Sequence, residues 1–144
     1  MAYTNVWLKA RNKLQLFPMI FPAKAKVLAY HALQIEKFGG SHGLRDEGVL
    51  ESALAAAENR HYYEEAGLTE CAATYAYHLC KAHAFIDGNK RIAAVVAELF
   101  IEINLAQLNA SDDELEELIL GIADSRITRD EVEQRFAQWI TPLA

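Results

Sequence analysis

A chain of 144 residues, 52% hydrophobic and 24% charged, has the size of one domain with its own core, and its 7 Gly and 3 Pro speak against disorder or low complexity. The formal net charge of -6 repels phosphate backbones and anionic lipid at range, which argues against direct nucleic-acid or membrane partners. The two cysteines, Cys71 and Cys80, match neither a metal spacing nor a disulfide framework and suit a reducing compartment such as the cytoplasm.

In chain order, the apolar run Leu14–Phe21 is short and broken by Pro18, too short to span a membrane. Residues 1–22 are therefore expected to form an N-terminal extension, either packed on the domain or a start-site artefact, and residues 23–141 the domain itself. Leu28, Ala32, Ile35 and Phe38 recur at helical intervals, and Gly39-Gly40 ends that helix. Asp46 is a candidate N-cap for a second helix carrying Val49, Leu50, Ala53, Leu54 and Ala57. The stretch Ala57–Gly67 lacks clean periodicity and reads as a loop or small hairpin, with Tyr62 and Tyr63 able to offer an edge to a peptide. A third helix runs from about Thr69 to Ala82 on Ala72, Tyr75, Ala76 and Leu79. The strongest pattern follows, Ile92, Ala93, Val96, Leu99, Phe100 and Ile103, and marks the central helix. Capping boxes at Ser111/Glu114 and Thr128/Glu131 open the last two. The fold class is all-α: a compact single-domain helical bundle around a buried central helix, with a small β-hairpin near Tyr62 as the one exception allowed.

Packing explains most of the chain, but not His83–Arg91, HAFIDGNKR. An Asp87-Gly88 turn leads into the central helix, whose first N–H groups lack partners and whose dipole makes that end positive. Lys90 and Arg91 are electrostatically unfavourable there, by roughly 0.3–1 kcal/mol each, unless an anion sits between them. An imidazole changes charge near neutrality, so His83 can accept a hydroxyl proton. Asp87 is a hard oxygen ligand for Mg²⁺, Asn89 can donate to a phosphate, and Arg91 can fork onto two phosphate oxygens. Base, metal ligand and phosphate clamp suit phosphoryl-type transfer, though neither a Walker A motif nor a kinase Gly-rich loop is present. A common turn, a helix cap and a solvated Lys-Arg face would account for the same letters.

HAFIDGNKR resembles the signature of the Fic/Doc family: His, any residue, Phe, two residues, a small residue, then Asn-Lys-Arg or Asn-Gly-Arg. Lys90 resembles the Doc branch rather than the Fic branch, and Phe38–Leu54 is similar to a Doc segment. The likeness runs from about Lys26 to Ile140. It implies a helical fold and transfer of part of a nucleotide (ATP or another NTP, with Mg²⁺) to a protein hydroxyl. Doc relatives act as protein kinases and toxins of toxin–antitoxin systems, with elongation factor Tu as target and a Phd-like antitoxin blocking in trans. Fic relatives transfer AMP, so AMP transfer is the alternative, and a non-catalytic helical binding module the third. By matching position, His83 is the base, Asp87 the metal ligand, Gly88 and Asn89 the phosphate-cradling turn, and Lys90 and Arg91 the phosphate-binding cations. Phe85 is expected to be buried, and Tyr62-Tyr63 to lie in the target-docking flap. Ile92 departs from the threonine common in Doc sequences. The family's inhibitory-helix motif has no match, since Leu54 precedes Glu58-Asn59 where a hydroxyl is needed. His42 and Arg45 are expected in a capping loop, with an approach to the phosphate site as the alternative, and His31, His61 and His78 receive no role.

Overall fold

Each helix buries the face on which its apolar residues recur, and the arrangement follows from which faces are widest. In the computed structural model, which describes residues 18–143, the order is α1 (Lys24–Phe38), α2 (Glu47–Glu64), α3 (Leu68–Ala82), α4 (Asn89–Ile103), β1 (Ala106–Leu108), α5 (Asp112–Ala123), α6 (Arg129–Trp139) and β2 (Ile140–Pro142). The expected capping residues sit where the sequence puts them. Asp46 accepts from Val49 N–H, Ser111 from Glu114 N–H and Thr128 from Glu131 N–H.

The all-α reading holds. Ile92, Ala93, Val96, Ala97, Phe100 and Ile101 of α4 are fully buried, so its buried face lies slightly off the one traced through Leu99 and Ile103. The centre is shared with α3, which buries nine residues to the six of α4. Ala72, Ala73 and Ala76 keep α3 thin, and it packs against α2, α4, α5 and α6. Tyr75 and Phe100 meet across the α3–α4 seam with ring centroids 5.1 Å apart, and burying such a ring contributes roughly 1.5–3 kcal/mol. Cys71 and Cys80 are buried free thiols.

Two expectations need correction. The stretch around Tyr62 is neither loop nor hairpin: α2 continues through Glu64 and ends at a left-handed Glu65. Two of its polar residues, Arg60 and His61, are half-buried and find partners there. Arg60 Nη1 donates to Glu133 Oε1 at 2.6 Å and Thr74 Oγ1 at 2.8 Å, and His61 Nδ1 donates to Ala66 O at 2.9 Å. A sheet exists elsewhere. β1 and β2 pair antiparallel, Ala106 with Pro142 and Leu108 with Ile140, tying the exit of α4 to the end of the chain.

Residues 1–17, and with them Leu14–Phe17 of the apolar run, lie outside the described residues. The segment just before α1 is packed. Asn104, fully buried, accepts from Ile20 N–H and donates to Ile20 O and Phe100 O at 2.8–2.9 Å, while Phe21 stacks on Phe100. Among the described residues no helix is long and apolar enough to cross a membrane.

Candidate active site at the turn between α3 and α4

The sequence places one histidine, one acidic turn and two cations between α3 and α4, and the fold concentrates them. α3 ends at Ala82, and His83 follows in the left-handed region at φ 50°, with its imidazole exposed. Non-glycine residues rarely adopt that backbone, and it costs about 1–2 kcal/mol. Ala84 and Phe85 then turn inward and are buried, as expected for Phe85. Gly88, at φ 79°, is the N-cap of α4 and no side chain caps that helix. The helix begins its ladder with Ile92 N–H to Gly88 O at 3.0 Å, which leaves the N–H groups of Asn89, Lys90 and Arg91 for an anion.

Lys90 and Arg91 are both exposed at this end. Arg91 is not adrift: its guanidinium lies over the Phe38 ring, 4.7 Å from the centroid, and Lys37 Nζ is 5.2 Å from the same ring. Two cations therefore sit in the first turn of the open helix start, where the dipole disfavours them and a polyanion would reverse the balance.

Asn89 does something the sequence did not suggest. Its side chain accepts from Phe85 N–H at 3.0 Å and donates to Phe85 O at 2.9 Å, a reciprocal clamp across the turn. The amide expected to meet phosphate is engaged with the loop, so what Asn89 offers an anion is its main-chain N–H. Ile92, the departure from the family pattern, is fully buried and packs in the core.

A second strip of chain props the turn from outside. Leu44 and Phe85 form an antiparallel bridge, Arg45 N–H and Asp46 N–H donate to Ala84 O, and Ile86 N–H donates to Gly43 O. Arg45 Nε donates to His83 O at 2.8 Å. Arg45 thus braces the histidine backbone, while His42 pairs with Glu36 at 2.8 Å. Ser41 N–H donates to Asp87 Oδ2 at 2.7 Å, fixing the carboxylate. Beneath it, buried His31 contacts Asp87 O at 2.7 Å and stacks on Phe85. Arg45 lies in the capping loop expected for it, whereas the holds of Ser41 and His31 on Asp87 were not expected from the sequence. The signal for His31 was its place between Val27 and Ile35 on the buried stripe of α1, where a polar ring needs a partner.

Six predicted residues, His83, Asp87, Gly88, Asn89, Lys90 and Arg91, share this one turn. Tyr62 and Tyr63 do not. Tyr62 contacts Phe21, which stacks on Phe100, eleven residues or about 16 Å along α4 from its start. Both tyrosines are exposed on the last turn of α2. Among the described residues no three metal-binding side chains cluster. Asp87 alone suits Mg²⁺, which keeps several waters and takes one or two carboxylates plus substrate phosphates.

Comparison with known proteins gives the chain its family. The profile of the Fic/DOC family matches residues 22–101. "Protein kinase doc" of Escherichia phage P1 is 36% identical over 104 residues, covering 72% of this chain and 82% of that protein. "Toxin Doc" of Mycolicibacterium smegmatis (strain ATCC 700084 / mc(2)155) is 40% identical over 78 residues, 53% of this chain and 60% of that protein. The matched span takes in both the props and the histidine-to-arginine turn that leads into α4, and the chain belongs to the Fic/DOC family.

Proposed function

We propose that this chain is a Doc-like toxin that transfers a phosphoryl group from a nucleoside triphosphate to a hydroxyl of a target protein. The observation that carries the proposal is the pairing of an exposed imidazole, held at a strained helix end, with an uncapped, cation-flanked helix start six residues later. The relative named as a protein kinase and the lysine at position 90 favour phosphoryl over AMP transfer.

His83 accepts the proton of the attacking hydroxyl as its oxygen bonds to the phosphorus, and the diphosphate leaves with the electrons of the broken P–O bond. The N–H groups at the start of α4, with Lys90 and Arg91, hold the phosphates and stabilise the charge that builds on them. Asp87 would hold Mg²⁺, which when bound neutralises phosphate charge. Asn89 and Phe85 keep the turn in shape. The protein acts in the cytoplasm, on a component of translation such as elongation factor Tu, and is restrained in trans by a Phd-like antitoxin. The absence of the family's inhibitory motif in the sequence supports restraint from outside.

Labelled ATP tests the reading. Transfer of the γ-phosphate to a cell protein, lost in His83→Ala together with growth suppression, is the expected result. Transfer of the α-phosphate would instead make the protein an AMP transferase. Label movement that survives His83→Ala would remove the histidine from the chemistry, and growth suppression without transfer would leave a binding module.

A further inference from the structure

We propose that His31 is a positioning residue that sets the direction of the Asp87–Gly88 peptide and so adds the Gly88 N–H to the anion-binding start of α4; the inference rests on the phosphoryl-transfer reading.

His31 occupies a core position of α1 between Val27 and Ile35 and is 3% exposed. A hydrocarbon side chain would satisfy packing there. The imidazole meets two demands at once. Its face lies on the Phe85 ring, with centroids 3.7 Å apart and planes 13° from parallel. Its Nε2–H donates to Asp87 O at 2.7 Å, since a carbonyl can only accept. The Nε2–H tautomer is thereby fixed when the ring is neutral.

The consequence follows from peptide geometry. No peptide bond among the described residues is cis, and in a trans peptide the C=O and the following N–H point in opposite directions. With Asp87 O drawn inward to His31, the Gly88 N–H is aimed outward, on the side where α4 begins. Four consecutive N–H groups, those of Gly88, Asn89, Lys90 and Arg91, are then available to phosphate oxygens rather than three.

Such a peptide needs holding because it adjoins a glycine. Gly88 adopts φ 79° and carries no side chain to resist rotation of the peptide plane. The fit below is close: a Cβ at Gly88 would stand 3.4 Å from His31 Nε2 and 3.3 Å from Ile35 Cδ1. On its other side Asp87 is held by Ser41 N–H at the carboxylate. His31 and Ser41 thus fix main chain and side chain of the same residue independently. Substitution of His31 is therefore felt at the nucleotide without touching it.

The test uses the full-length protein and three variants. His31→Phe keeps a ring against Phe85 and removes the donor, His31→Gln places an amide N–H near the Nε2 position, and His31→Asn falls one bond short. Three readouts are compared: the Gly88 amide resonance in the free protein, calorimetric affinity for a non-hydrolysable ATP analogue with Mg²⁺, and γ-phosphate transfer. His31→Phe is expected to shift the Gly88 amide, weaken the analogue about tenfold and lower kcat/KM by roughly 10- to 100-fold, while His31→Gln stays within about threefold of the parent. An unmoved Gly88 amide with parental analogue affinity in His31→Phe overturns the proposal. If His31→Phe does not fold, the Gln and Asn variants decide: equal behaviour overturns it, and Gln parental with Asn impaired supports it. A parent that transfers no phosphate defeats the reading of function, and the Gly88 amide still judges His31.

Discussion

Replacing Asn89 with alanine separates two roles that the same amide could serve. In the structure it closes two hydrogen bonds onto Phe85, at 3.0 and 2.9 Å, and Phe85 is only 2% exposed. Alanine leaves an N–H and a C=O at a buried residue without these partners. Each such loss costs about 1–3 kcal/mol, and the exposed residues that follow let water reach one of them, so about 2 kcal/mol in total is expected. For a chain of this size that is about 6–10 °C in Tm. In urea, with a slope near 2 kcal/mol per molar, the midpoint moves by about 1 M. Asn89→Asp retains the acceptor for Phe85 N–H but sets a second acceptor against Phe85 O, so it should not restore the parent's stability. Chemical unfolding followed by circular dichroism, alongside equilibrium nucleotide binding, gives both numbers. If Asn89→Ala unfolds within about 0.5 kcal/mol of the parent yet binds nucleotide far more weakly, the clamp is not what the side chain is for, and its amide is a direct phosphate ligand.

Three further outcomes are expected. Phe38→Ala removes the ring under Arg91, and a partly exposed contact of this kind is worth about 0.5–1 kcal/mol, so nucleotide affinity should fall about two- to fivefold with little change in Tm; an unchanged affinity shows that the ring does not steady the cation. Burial first, and then Glu102 and Asp112, raise the Glu98 carboxyl above its ordinary value of 4.5. A raised folded value means that stability present below 4.5 is lost as pH rises through the folded value. Glu98→Gln should therefore raise Tm at pH 7 and give no gain near pH 4.5, and an equal gain at both would contradict the charge argument. Glu133→Ala strips the main charged partner from Arg60, whose side chain is 15% exposed, at about 2 kcal/mol. Adding Arg60→Met should recover part of that loss in a double-mutant cycle, and strict additivity would show that the pair is not coupled.

The helices were legible because their buried faces repeat, as α4 shows, and because Asp46, Ser111 and Thr128 are side chains that cap by local rules. The candidate turn between α3 and α4 was legible because cations at a helix start are anomalous without a ligand. What stayed hidden depends on distance along the chain. The second half of α2 looked like a loop because Arg60 and His61 break the apolar period, and only Glu133, Thr74 and the Phe21 ring make an inward polar face sensible. β1 and β2 are three residues each and too short to alternate visibly. The pairing of residues 43–46 with the α3–α4 turn and the role of Asn89 are main-chain matters, on which side-chain letters say little.

The partners that hold Asp87, Ser41 and His31, come from 46 and 56 residues earlier in the chain. Closing a loop of about 50 residues carries an entropic penalty on the order of 3.5 kcal/mol, which the α3–α4 seam and the rest of the core must offset. During synthesis, a nascent polypeptide that has emerged only as far as His83 carries an imidazole but no helix start and no clamp. The proposed site is therefore assembled only in the folded whole, once the fourth helix has left the exit tunnel.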